Sequence, residues 1–438
     1  MTVSMTSTPH KLSLWTVTLI NINIMFGTGL FINTLMLAQK TGFLGFVSYI
    51  AVAILIIPLI LSFSALLQRY PGGNFYTYSA TAISPLVGFM SAWAYFIAKL
   101  ASAALLIHVF STLIATVISS LNIINPFMLD TIILTLFTLL NFFHMKTGRA
   151  VMYTFLFLKL VPILFVIFSC LYLYQSWSIP AQTLLWSGIP NTIPLVLYAF
   201  TGFEACCSLS NTLKNPAKDG PRALFISFCS VVTLTIIYQL LFFTALGTLL
   251  MKQANSFLHV LPPLLMTLWP SHPAIAHHVG KILYIALATA SLGGSYGILF
   301  SNQWNLYTLA QQGHTAWRSY LTTLNRYHIP MLCIALEAIL CLSYLLILKG
   351  NIILLQQMSV FGCTITFALS MLALLTAARA SQHSYHTGIA IAGLVSCSLF
   401  FVLSIKNFIL YGMGSFSVFI ALFIGGLCMF WKQSKKIS

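Results

Sequence analysis

The sequence is poor in charge. Only 5% of its 438 residues are charged, and Asp and Glu together number four. A soluble domain usually carries about a quarter charged residues, so we exclude a soluble globular fold. With so few acids and no His/Cys cluster, the sequence also does not offer the clustered nucleophile, acid–base pair or metal ligands that an enzyme needs.

The sequence also lacks any pair of cysteines with CxxC spacing. All nine cysteines fall in long apolar segments, where free cysteine packs as a small apolar residue. His272, His277 and His278 lie in a Pro-rich connection, and their spacing fits no common metal site. We therefore expect no disulfide framework, no metal site and no cofactor.

Long apolar runs fill the rest of the chain, whose mean hydropathy is +0.96. The runs are about 20 residues long and continuous, which is typical of transmembrane helices. They predict twelve spans in a lipid bilayer, near residues 12–38, 43–67, 84–118, 127–145, 150–174, 188–212, 221–250, 278–308, 329–348, 352–378, 386–406 and 409–431.

The basic residues are spread over short loops and form no dense patch, so the net charge of +16 does not indicate nucleic-acid binding. Their distribution instead predicts topology, because basic loops stay in the cytoplasm. With both termini inside, including tails at 1–11 and 432–438, most Lys and Arg are cytoplasmic. The connections that this topology places outside carry Lys40, Lys252, Lys281, Lys349 and Lys406.

Glycine interrupts two of the spans. Span 1 contains FGTG at 26–29, and span 6 contains FTGFE at 200–204. The interruptions are five spans apart, so the two segments cross the membrane in opposite directions. Paired, inverted, Gly-interrupted spans indicate the binding site of a transporter. Taken alone, the first pair of glycines could equally serve close helix packing.

An unwound helix in the bilayer suits a zwitterionic ligand. Freed N–H groups attract an anion and freed C=O groups a cation, so an amino acid would place its carboxylate on span 1 and its ammonium on span 6. The predicted substrate-binding residues at the breaks are Asn23, Gly27, Thr28, Gly29, Leu30, Tyr198, Ala199, Phe200, Thr201 and Gly202.

Four stretches carry recognisable motifs. They are FGTGLF at 26–31, YPGGNFYTYSATAISPLVGFMSAWAYF at 70–96, YAFTGFEACCSLSNTLKNPAKDGPRAL at 198–224, and LYTLAQQGHTAW with NRYHIP within 306–330. In this order, over about the first 330 residues, they resemble the amino acid–polyamine–organocation transporters. The third stretch, with F-x-G-x-E before KNP and PRA, is the most specific.

The resemblance implies an all-α polytopic membrane protein with twelve transmembrane helices. These would form a LeuT-like five-plus-five inverted repeat, with helices 1 and 6 broken, and two further C-terminal helices. The repeats would span 12–174 and 188–378, and the last two helices 386–431. The family's loop 8–9 commonly carries Arg-Asp where this chain has Gln311-Gln312, so gating contacts of relatives do not transfer.

Two ionisable residues are candidates for proton coupling. Glu204 lies at the span 6 break, and by resemblance it is the family's helix 6 glutamate; the alternative is a protonated carboxyl bonded to helix backbone. Lys159 lies within span 5, where some proton-coupled members carry a lysine in place of a sodium ion held between helices 1 and 8. A fixed structural charge is the alternative. Ser291 and Ser295 of span 8 are candidates to face span 1, and a sodium site lined by them is the less favoured possibility.

Lys99 lies near the middle of span 3, where related antiporters have a small pocket residue. A cation there favours an acidic or neutral substrate over a basic one. The alternative is an ion pair with Glu204 or Glu337 and no substrate contact, and we expect Glu337 to form a structural pair. By resemblance, Tyr198 covers the substrate; ordinary aromatic packing is its alternative.

The sequence therefore predicts a secondary amino acid transporter, coupled to protons by symport or exchange, in the bacterial cytoplasmic membrane. An exchanger of amines or other small metabolites with the same fold is the second interpretation. A membrane enzyme, sensor or channel is disfavoured. The expected partners are the amino acid, protons and lipid; a homodimer is left open, and no nucleic acid is expected.

Overall fold

Helices make up nearly all of the computed structural model, which describes residues 11–27, 29–143, 145–173, 184–252 and 261–437. Thr28 and most of the predicted N-terminal tail lie outside the described residues. The α-helices are α1 Leu14–Met25, α2 Gly29–Thr41, α3 Gly45–Arg69, α4 Phe75–Ala82, α5 Pro85–Val117, α6 Pro126–Asn141, α7 Met145–Tyr172, α8 Ile189–Phe200, α9 Ala205–Ser208, α10 Pro216–Leu246, α11 Thr248–Met251, α12 Leu261–Leu268, α13 Pro273–Gln311, α14 Arg318–Leu321, α15 Met331–Ile347, α16 Ile352–Ala380, α17 Ser384–Tyr411 and α18 Gly414–Ile437.

Among the described residues, eight helices are long and apolar enough to cross a bilayer unaided, namely α3, α5, α7, α10, α13, α16, α17 and α18. Helices α6 and α15 are shorter and apolar. The two remaining predicted spans are each split, span 1 into α1 and α2 and span 6 into α8 and α9. Each of the twelve predicted spans thus has a helical counterpart, and the all-α membrane architecture is confirmed. The grouping into two five-helix repeats stays a prediction.

Several helices begin where the sequence provides a capping side chain. Ser84 accepts a hydrogen bond from the N–H of Val87, and Pro85 occupies the first turn of α5. Asn351 accepts one from the N–H of Leu354 at the start of α16. Such caps satisfy N–H groups that have no partner within the helix. The predicted starts at 84 and 352 agree with the structure for this reason.

Helix α5 is the centre of the bundle. The side chains of Asn302 in α13, Tyr344 in α15 and Thr366 in α16 each donate to a backbone carbonyl of α5, at 2.9–3.1 Å. A Cβ atom on Gly362 of α16 would lie 2.6 Å from the Cβ of Ala98. Small residues allow this approach, and close packing with interhelical hydrogen bonds holds helices together in lipid.

The two split segments run in opposite directions. Before α1, the N–H of Leu12 donates to the carbonyl of Thr212 at 2.7 Å, and its own carbonyl accepts from the N–H of Lys214 at 3.0 Å. At the other end, the N–H of Leu185, before α8, donates to the carbonyl of Thr41 in α2 at 3.4 Å. The start of each segment therefore lies beside the end of the other, as their separation by five spans predicts.

Candidate functional site at the two helix breaks

The first break separates the end of α1 at Met25 from the start of α2 at Gly29. The N–H of Gly27 turns back to the carbonyl of Met25, at 2.8 Å. The first amides of α2, including those of Gly29 and Leu30, have no acceptor within their own helix. The break therefore presents N–H groups of the kind that bind a carboxylate.

The second break lies between α8 and α9. At Thr201 the backbone becomes extended, with φ −64° and ψ 132°, and Gly202 follows with φ +126°. Residues with a Cβ rarely adopt that φ, which glycine allows. A Cβ at Gly202 would also lie 2.7 Å from Cγ2 of Ile24 in α1. The second break thus packs directly on the first segment.

The two segments also touch where α2 begins and α8 ends. A Cβ on Gly29 would lie 3.1 Å from the Cα of Ala199 and 3.5 Å from Cδ1 of Tyr198. Across the first break, a Cβ on Gly27 would lie 3.2 Å from Leu106 of α5. The structure therefore brings predicted site residues of span 1 and span 6 together, and the glycines give this close approach.

Three buried asparagines connect the first segment to its surroundings. Asn21 donates to a carbonyl in the second break at 2.8 Å, Asn23 to one in α13 at 3.1 Å, and Asn33 to one in α8 at 2.6 Å. Sequence reasoning selected only Asn23. The signal for the other two was available, since an uncharged polar side chain within a membrane span usually has a specific partner.

Lys159 of α7 lies at the end of α1. Its Nζ donates to the carbonyls of Asn23 and Phe26, both at 2.7 Å, and the side chain is fully buried. A Cβ on Gly293 of α13 would lie 3.3 Å from Nζ. The last carbonyls of a helix lack partners within it, and the helix dipole favours a cation there. Lys159 therefore caps the first break from the space between α1, α7 and α13.

Glu204 is held by three groups. Its Oε1 lies 2.9 Å from Lys99 Nζ and accepts from the hydroxyl of Tyr95 at 3.1 Å, and its Oε2 accepts from the N–H of Gly202 at 2.8 Å. Glu204 is 0% and Lys99 2% exposed. The ion pair that was the alternative to a substrate contact is formed, and it ties the second break to α5. Tyr95, which sequence reasoning missed, lies in the WAYF motif.

Glu337 of α15 has no ion-pair partner among the described residues. It is fully buried, and Asn302 lies close enough to interact, yet neither carboxylate oxygen has a partner in hydrogen-bonding geometry. The expected structural pair is therefore wrong, because Lys99 pairs with Glu204 instead.

Tyr198 and the two serines of span 8 differ in their relation to the breaks. The hydroxyl of Tyr198 forms a hydrogen bond with Ser102 of α5 at 3.2 Å, and its ring lies beside the start of α2. Ser295 donates to the carbonyl of Ala103 at 3.2 Å, and Ser291 to that of Leu287 in its own helix at 3.3 Å. Both serine hydroxyls are thus bonded to backbone outside the first break.

Neutral groups join α4 to the loop after α13. The hydroxyl of Tyr76 and Nε2 of His314 form a hydrogen bond of 2.7 Å, and Asn74 donates to a threonine of α13 at 2.8 Å. Burial lowers the pKa of His314, which keeps the ring neutral. These contacts lie near Gln311 and Gln312, where the sequence departs from the Arg-Asp of the family that it resembles. His314 was not singled out from the sequence.

A family model described as amino acid permease matches residues 12–430 of the chain. The chain belongs to this family. The permease is therefore an integral multi-pass membrane protein of the amino acid–polyamine–organocation superfamily.

Two curated relatives are similar to parts of the permease. Branched-chain amino acid permease BcaP of Bacillus subtilis (strain 168) is 25% identical over 252 residues, 52% of this chain and 54% of the relative. Low-affinity putrescine importer PlaP of Escherichia coli (strain K12) is 26% identical over 184 residues, 38% of this chain and 39% of the relative. The matched part of the chain thus spans about half of the first relative and two fifths of the second.

The second break requires glycine at position 202. Gly202→Ala should abolish transport and lower thermal stability, because the positive φ alone costs roughly 1–3 kcal/mol and the new methyl group meets Ile24. Gly388→Ala is the matched control, since a Cβ there has nothing within 4 Å. Uptake and thermal unfolding of the purified variants measure both effects; equal behaviour of the two variants would contradict the packing described here.

The buried ion pair generates a second prediction. Lys99→Met or Glu204→Gln alone should destabilise the permease by roughly 3–5 kcal/mol, because each leaves its partner buried without a counter-charge. The double variant should recover much of that loss. A double-mutant cycle on thermal unfolding in detergent measures the coupling. Additive losses would show that the two side chains do not stabilise each other.

Proposed function

We propose that this permease carries neutral amino acids by alternating access and couples their movement to protons, by symport or exchange. The proposal places it in the bacterial cytoplasmic membrane with both termini inside. The observation that carries it is the contact between the two breaks, where the start of α2 meets the end of α8.

The meeting of these half-helices supports a zwitterionic substrate. The start of α2 offers amides near Gly29 and Leu30, and the end of α8 offers carbonyls near Ala199 and Phe200. Helix starts attract anions and helix ends attract cations. The α-carboxylate and α-ammonium of an amino acid are separated by one carbon atom, which suits two helix ends in contact.

The Lys99–Glu204 pair bears on the substrate side chain. A free lysine would have attracted an acidic side chain, but its charge is already balanced by Glu204 at 2.9 Å. The pair favours neutral over acidic substrates, and the name of the branched-chain relative points the same way. It also disfavours a diamine, the substrate in the name of the putrescine relative, because Glu204 is not free to bind a second ammonium group.

Lys159 supports protons as the coupling ion. Its ammonium occupies the space between α1 and α13 that a sodium ion would need, and it takes the place of that cation on the carbonyls of Asn23 and Phe26. Only backbone dipoles balance its charge in the described structure. We assign the coupled proton to this ammonium group, and loss of the proton would weaken its two charge-assisted hydrogen bonds. Glu204, bound on both oxygens, acts in this proposal by holding the second break.

Uptake into proteoliposomes tests the substrate and the driving ion together. Radiolabelled isoleucine, glutamate and putrescine are compared under an inward proton gradient, an inward sodium gradient and no gradient. We expect isoleucine uptake driven by protons. Faster uptake of glutamate or putrescine than of isoleucine would overturn the substrate assignment, and uptake driven by sodium alone would overturn the coupling.

Lys159 is tested separately. Lys159→Ala should remove the response of transport to a proton gradient and lower stability by a few kcal/mol, since hydrogen bonds to charged groups contribute roughly 1.5–3 kcal/mol each. Lys252→Gln, which removes a charge at an exposed position, should leave both unchanged. Counterflow exchange needs no proton gradient, so it separates a defect in proton coupling from a defect in substrate binding. An intact pH response in Lys159→Ala would refute the assigned role.

A further inference from the structure

A recess separate from the helix breaks lies at the end of the bundle that the sequence predicts to face outside. It has a volume of about 470 Å³ and lies among the end of α2, the start of α8 and the end of α17. The polar side chains that line it are Lys40, Ser187, Asn191, Lys406, Asn407 and Tyr411. The breaks are elsewhere, and the proposed transport mechanism uses none of these side chains.

The recess holds two lysines without an acidic partner. Lys40 donates to the hydroxyl of Tyr411 at 3.2 Å, and Lys406 donates to Oδ1 of Asn191 at 3.1 Å. All four acids of the chain are among the described residues, and none forms an ion pair with either lysine. Two like charges that share one recess repel each other, and a bound anion would remove that cost.

The rim of the recess is apolar. On α17, Ile405, Ile409 and Leu410 flank Lys406 and are 45%, 70% and 62% exposed, and Trp186 beside α8 is 64% exposed. Exposed aliphatic side chains on a membrane-spanning helix face acyl chains, and tryptophan concentrates at the membrane–water interface. A ligand seated on the lysines would therefore have hydrocarbon beside its anionic group.

Polar atoms continue below the recess. A narrow crevice of about 20 Å³ shares Asn407 and Tyr411 with it. Gln356 and Ser404 line the crevice and are 5% and 4% exposed. Neither Nε2 of Gln356 nor Oγ of Ser404 has a hydrogen-bond partner within the described part of the chain. Buried polar atoms normally have partners, so these two point to a polar ligand group above them.

We propose that this recess binds an anionic phospholipid of the outer leaflet. The phosphate lies between Lys40 and Lys406. The glycerol side of the headgroup forms hydrogen bonds with Asn191 and Tyr411, and the acyl chains follow the exposed face of α17. The proposal requires the predicted membrane placement and does not depend on which substrate is carried.

Native mass spectrometry of the detergent-solubilised permease tests the site, with phosphatidylglycerol or phosphatidylcholine as the titrated lipid. We expect tighter binding of phosphatidylglycerol. Lys40→Gln with Lys406→Gln should weaken it about 25-fold, because a lysine beside an anionic headgroup contributes a factor of about five. Lys406→Gln alone should weaken the binding of phosphatidylglycerol about fivefold. Because residue 406 is exposed, this single variant keeps the test available if the double variant folds poorly.

The control removes the same charge at the same predicted face, with Lys252→Gln and Lys349→Asn; asparagine suits the positive φ of residue 349. Equal weakening by the control pair would reduce the effect to general electrostatics and overturn the site. So would equal binding of the two lipids. Displacement of phosphatidylglycerol by millimolar inorganic phosphate would instead assign the lysines to a soluble anion and overturn the lipid assignment.

Discussion

This structure depends on one constraint: every backbone N–H and C=O group in the hydrocarbon core needs a hydrogen-bond partner. Each unpaired group costs several kcal/mol, and the two broken helices free such groups in the middle of the bundle. Side chains supply the partners: Lys159 of α7 for the end of α1, Asn21 of α1 for a carbonyl of the second break, and Glu204 of the second break itself for the amide of Gly202. Lys159 ties α7 to the first break, and the Lys99–Glu204 ion pair ties α5 to the second.

The scarcity of acids gives the two buried lysines different roles. The charge of Lys99 is balanced by the carboxylate of Glu204. The same carboxylate accepts hydrogen bonds from Tyr95 and from the backbone N–H of Gly202 in the break. This arrangement is neutral as a whole and favours rigidity. Lys159 is balanced by carbonyl dipoles alone in the described structure. Dipoles stabilise a cation less than a full negative charge does, so the charges of the two lysines are held by interactions of different strength.

Much of the fold was predictable from the sequence. Long apolar runs indicate membrane helices, and prolines and capping side chains indicate where these helices begin. The breaks at 26–29 and 200–204 were predictable from glycine. The partner of Lys99 was not, since Glu204 and Glu337 were equally available along the chain and only the packing of α5 against the second break decides between them. The Tyr76–His314 contact was also missed, because it joins α4 to a loop more than 200 residues later in the chain.

The contacts around the breaks differ in how readily they can change. Gly202 is fixed by Glu204 and packs on Ile24, so the second break and the end of α1 form one unit. The start of α2 meets the end of α8 at Gly29 and Ala199, two small residues, and Asn33 donates to a carbonyl one turn further back in α8. At the break, α7 is linked to the end of the first half-helix by two hydrogen bonds of the Lys159 ammonium group, and Thr16 and Tyr153 form a further hydrogen bond near the start of α1. Deprotonating Lys159 would turn these charge-assisted bonds into neutral ones, which are about half as strong. In the proposed mechanism, release of a proton would weaken the hold of α7 on the end of α1 beside the second break, and would connect the proposed coupling ion to the rearrangement that alternating access requires.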